Sequence, residues 1–61
     1  MNHIKTFEQL KNDLKLDLDT KIEANNELHK SIKTYFPDNV EDIKNLEKLG
    51  KLLVEMRELT N

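Results

Sequence analysis

One proline, Pro37, and one glycine, Gly50, are all the strong backbone punctuation in this 61-residue chain. A β-protein of short strands needs turn chemistry about every 8 to 12 residues. That chemistry is missing, so the chain is restricted to long uninterrupted helices. The apolar residues agree. Phe7, Leu10, Leu14, Leu18, Ile22, Leu28, Ile32 and Tyr35 or Phe36 recur mostly at steps of three and four, the spacing of one helix face. Thr6 followed by Gln9 has the spacing of a capping box at the head of this run. Lys30 and Lys33 lie near its end, where the helix dipole favours positive charge. Pro37 then disfavours helical geometry at Phe36.

A second helical pattern follows at once. Asp38 or Asn39 is placed to cap it, and Glu41 and Asp42 put negative charge in its first turn. Its apolar face is Val40, Ile43, Leu46, Leu49, Leu53, Met56 and Leu59, widened by Leu52. The spacings Asp17–Lys21, Glu47–Lys51 and Glu27–Lys30 decorate the outer surface. The reading is therefore a single all-α domain, a helical hairpin: a helix over about 6–35, a turn at 36–39 and a helix over about 40–59. So short a connection makes the helices antiparallel neighbours.

One stretch reads two ways. Leu14, Leu16, Leu18, Thr20 and Ile22 alternate with polar residues, a strand period with nothing to pair against. Thr20 and Glu23 form a second capping-box pattern, which would let the first helix stop near Leu16 and restart. A first helix of about 45 Å would outreach a second of about 30 Å. Ile4, Phe7, Leu10 and Leu14 would then overhang with no cover. An apolar strip of that kind folds back, pairs with a second copy, or docks on another protein.

The chain holds 18 Leu, Ile, Val and Phe residues, enough to keep it out of the disordered class. Domains of this size still commonly need a staple. With no cysteine, disulfides and Cys-based zinc sites are excluded, which leaves association. No apolar run approaches a membrane span, and no basic stretch leading into an apolar one marks a signal peptide, so cytoplasmic residence is expected. The Leu-, Lys- and Asn-rich helical style resembles that of small proteins from AT-rich bacteria and their phages and plasmids.

Residues that carry chemistry elsewhere are poorly placed for it here. His3 and His29 are 26 positions apart and neither has a metal-ligand spacing. With one glycine there is no phosphate loop, and Ser31, the only serine, has no nucleophile elbow. No catalysis, cofactor, metal or small-molecule substrate is expected. Bases and acids interleave to a net charge of −2, so nucleic acid is an improbable partner. Interaction residues are easier to nominate. Asn25 and His29 fall in the apolar stripe between Ile22 and Ile32. A polar residue in such a seam fixes register, and a buried His29 would make association pH-sensitive. Gly50 costs helix stability, which close packing would offset. Phe7 is the candidate anchor of the overhang, while Tyr35 and Phe36 would close the hairpin core.

These residues predict an antiparallel homodimer forming a four-helix bundle, with a monomeric three-helix bundle broken between Leu16 and Thr20 as the alternative. The interface residues would be Ile4, Phe7, Leu10, Leu14, Leu18, Asn25, His29, Gly50 and Met56. By elimination, the function is non-enzymatic protein binding: a small regulator or inhibitor of a larger protein, acting by helix-face docking. A structural subunit of a larger complex and a hairpin-dimer nucleic-acid binder are the alternatives.

Overall fold

Thr6 opens the structure as the sequence predicts. The computed structural model describes residues 6–61, and Ile4 and His3 lie outside them. The Thr6 amide donates to Gln9 Oε1 at 3.0 Å, and the Gln9 amide donates to Thr6 Oγ1 at 3.1 Å. This reciprocal pair satisfies two donors that a helix start leaves unpartnered. Helix α1 then runs from Phe7 to Tyr35 without a break. The second capping pattern is not used: Thr20 Oγ1 donates to the Leu16 carbonyl at 3.1 Å, folding back on its own helix. No glycine or proline stops the chain there, so the three-helix alternative and the strand reading both fail among the described residues.

α1 ends where proline makes it end. The Phe36 amide still donates to the Ile32 carbonyl at 2.8 Å, but its own φ of −135° and ψ of 58° leave the helical region. The Asn39 amide donates to the Phe36 carbonyl at 3.0 Å and closes the turn. Helix α2 runs from Val40 to Leu59. Asn39 holds the N-cap position, but its side chain makes no capping bond; Glu41 and Asp42 complement the helix start instead.

The two helices pack along one seam. On α1 it comprises Leu18, Ile22, Asn25, His29 and Ile32; on α2, Ile43, Leu46, Gly50, Leu53 and Arg57. All of these are buried or half-buried. The steps alternate between three and four, the spacing that keeps one stripe of a helix against its neighbour as in coiled-coil packing. Arg57 Nε meets Asp19 Oδ1 at 2.6 Å, so the end of α2 reaches the level of Asp19. N-terminal to about Leu14, α1 continues alone.

Two helices make one layer, and a layer has no inside. The molecule measures 52 × 21 × 13 Å with a radius of gyration of 15.3 Å, against about 10.5 Å for a compact domain of this length. Among the described residues only Leu18, Leu53 and Asn25 are buried. The accessible surface is 5247 Å², roughly 1,100 Å² more than a globular monomer of this mass presents. Tyr35 and Phe36 do not close a core; they are 73% and 65% exposed. Phe36 sits outside helical geometry at the bend, where no third element lies over it.

Candidate protein-docking site

The seam is fixed by a polar contact at its centre. In an α-helix the carbonyl of residue 46 accepts from the amide of residue 50, and the Cβ of residue 50 stands beside it. Gly50 has no Cβ, so the carbonyl is open from the side. Asn25 uses that opening: its Nδ2 donates to the Leu46 oxygen at 3.1 Å. A Cβ on residue 50 would lie 2.9 Å from the same nitrogen, closer than real contacts come. Asn25 is only 8% exposed, and its Oδ1 is buried with no hydrogen-bond partner. The amide cannot turn to satisfy Oδ1 without facing two oxygens toward each other. Asn25 and Gly50 thus join α1 to α2 by a hydrogen bond specific to this register of the two helices.

The hairpin's two faces differ in chemistry. On one side lies a shallow depression of about 630 Å³ whose walls mix Asn26, His29, Glu47, Lys51 and Glu55 with Ile22, Leu46 and Val54. His29 Nε2 and Glu47 Oε1 are 3.3 Å apart across it. On the other side an open groove of about 790 Å³ runs between the helices. Its walls are Leu14 and Leu28 from α1 and Leu46, Leu49, Met56 and Leu59 from α2, with Leu18 and Leu53 at its floor. Asp17 and Lys21 are its charged members, paired with each other at 2.5 Å. Leu14, Leu28, Leu49, Met56 and Leu59 are all at least 45% exposed, so the groove is uncovered along its length.

The apolar run read along α1 as one stripe is thus divided between two faces. Leu18 and Ile22 lie in the seam; Leu10, Leu14 and Leu28 lie beside it, facing the groove side. Of the nominated residues, Leu18, Asn25, His29 and Gly50 stand between the chain's own helices, whereas Leu14 and Met56 line the groove. Phe7 and Leu10 stand on the overhang, and Lys11 Nζ sits 5.4 Å from the centre of the Phe7 ring. Sequence reasoning did not nominate Leu28, Leu46, Leu49 and Leu59 as a surface. Periodicity marked them apolar, but only the single-layer packing shows Leu28, Leu49 and Leu59 uncovered and Leu46 half-covered. The cross-hairpin pairs Asp19–Arg57 and His29–Glu47 had no signal, because their partners are 38 and 18 positions apart.

No protein-family model matches the chain, and neither do the curated proteins or the solved structures compared with it. Among the described residues no helix is long and apolar enough to cross a membrane. None of them group into a cluster of three or more metal-ligating side chains.

Proposed function

We propose that this hairpin is a non-enzymatic protein-binding module, a small cytoplasmic regulator or inhibitor that acts by presenting its groove face to an amphipathic helix. The observation that carries this reading is the uncovered groove, apolar from Leu14 and Leu59 at one end to Leu28 and Leu46 at the other. Its walls carry apolar side chains from both helices, the setting in which apolar side chains at helical spacing enter a groove. Charged side chains enter its lining only as the Asp17–Lys21 pair, so the groove presents an almost wholly apolar face for docking. The same face supports self-association as an antiparallel homodimer. Asp17 and Lys21, on the rim, would set the orientation of whatever docks.

Sedimentation of the wild type beside Leu49→Asp/Met56→Asp tests this. Both side chains are about half exposed in the hairpin, so the variant should keep its helical circular dichroism. The expected result is association of the wild type and its loss in the variant. A variant that associates as the wild type does would place binding on another face and overturn the reading.

A further inference from the structure

The groove-side stripe of α1 is self-complementary. Leu10, Leu14, Asp17, Lys21, Ala24 and Leu28 step by four, three, four, three and four, which reads the same in both directions. The centre of that pattern is the level of Asp19. Reflected about it, Leu10 meets Leu28, Leu14 meets Ala24, and Asp17 meets Lys21. Apolar thus falls on apolar and acid on base. This is what an isologous two-fold contact demands, because each residue must suit both itself and its mirror position.

The helix lengths agree with the same centre. Arg57 binds Asp19 and α2 ends at Leu59, so α2 stops about one turn past the level where the axis would pass. Beyond it α1 is a single helix, carrying Phe7 and Leu10 at 73% and 46% exposure. In an antiparallel pair about Asp19, residues 7–13 of one copy lie over residues 25–31 of the other. That is the stretch where the second copy has both helices and an open groove. A register centred on the middle of the hairpin would instead leave both overhangs in water.

We infer that the occupant of the groove is residues 10–14 of a second copy, held in antiparallel register by Asp17 and Lys21 of each chain facing Lys21 and Asp17 of the other. Leu10 and Leu14 of each chain enter the groove of its mate beside Leu28, Leu46 and Leu49, while Phe7, opposite Ser31, lies just past the groove's end. Four helices meet at the middle of this dimer and three at either end. The surplus of roughly 1,100 Å² per chain is enough to supply the roughly 800 Å² that a standard interface removes from each partner. The inference rests on the reading of the groove as a docking face, and adds that self-association and docking on another protein compete for it.

The register is tested by mixing charge variants. Asp17→Lys places like charges opposite each other at both symmetric contacts, and so does Lys21→Glu. Each should dimerise about tenfold more weakly than wild type. Mixed in equal amounts they form a heterodimer in which both contacts are again of opposite sign, and sedimentation should recover the wild-type dimer mass. The Asp17–Lys21 pair within each chain stays broken in both variants, so only contact between chains explains recovery. As a second readout, Leu10→Cys mixed with Leu28→Cys should give a mixed disulfide faster than either variant oxidises alone. In this register like cysteines are about 27 Å apart. The chain has no other cysteine. A wild-type dimer with no recovery on mixing and no preference for the mixed disulfide overturns the register and leaves the docking face standing. A wild type that stays monomeric overturns self-association itself.

Discussion

A methyl group added at residue 50 has two opposite effects, and the structure decides their order. Replacing glycine by alanine inside a helix gains about 1 kcal/mol of propensity. Here the new Cβ falls 2.9 Å from Asn25 Nδ2, so the amide must leave the Leu46 carbonyl. Displaced, it loses its hydrogen bond and strands a buried donor, at a cost of roughly 1–3 kcal/mol. Gly50→Ala should therefore destabilise the hairpin by about 1 kcal/mol in thermal or urea unfolding. The sign should reverse once the obstacle is removed: in an Asn25→Ala background the same substitution should stabilise by up to about 1 kcal/mol. A Gly50→Ala protein that melts higher than wild type with Asn25 intact would show that the amide moves aside freely. His29 is a different case. Its contact with Glu47 is 3.3 Å long at the rim of the polar face, so it contributes less to register than Asn25 does.

At the scale of the element, the overhang is the part of α1 held only by its own backbone. Residues 7–13 have no α2 beside them, so within one chain their order depends on the helix's own hydrogen bonds and the Thr6–Gln9 box. Thr6→Ala should cost about 1 kcal/mol of local helix stability. In dilute protein the loss should appear as faster amide exchange over 7–13, while 18–32 exchange as before. Equal acceleration across both stretches would show that α1 opens as one unit. Most of this element-level picture was legible in the sequence. The Thr6–Gln9 spacing, the stop at Pro37 and the two apolar periodicities place both helices, because each is a local effect written within a few residues. What was not legible is non-local. Thr20 carries the same local capping signal as Thr6, yet α1 runs through it because nothing nearby stops the helix. Tyr35 and Phe36 looked like core residues because periodicity reports apolar character and not cover. The groove was hidden for the same reason: Leu28, Leu46, Leu49 and Leu59 read as inward-facing until the single layer shows what stands over them.

For the whole molecule, the question is whether folding and association are one event. A layer that buries Leu18, Asn25 and Leu53 and little else has a small core, and domains this short are marginal without a staple. If the second copy is that staple, the melting temperature must depend on protein concentration, since whatever binds only the folded state stabilises it by mass action. The size of the dependence follows from the unfolding enthalpy. Two chains of this length unfold with about 85 kcal/mol near 60 °C, which converts to a rise of about 6 °C for each tenfold increase in concentration. The measurement is circular dichroism melting across a hundredfold range of concentration, on wild type and on Leu49→Asp/Met56→Asp. The wild type should shift and the variant should melt lower, at a temperature that does not move with concentration. A wild-type transition that stays fixed would mean that the hairpin folds alone on its Asn25–Leu46 seam, with the groove open to a different protein. A shifting wild type would mean that the bare groove exists only at low concentration, and a partner protein docking there must first displace the overhang of the second copy.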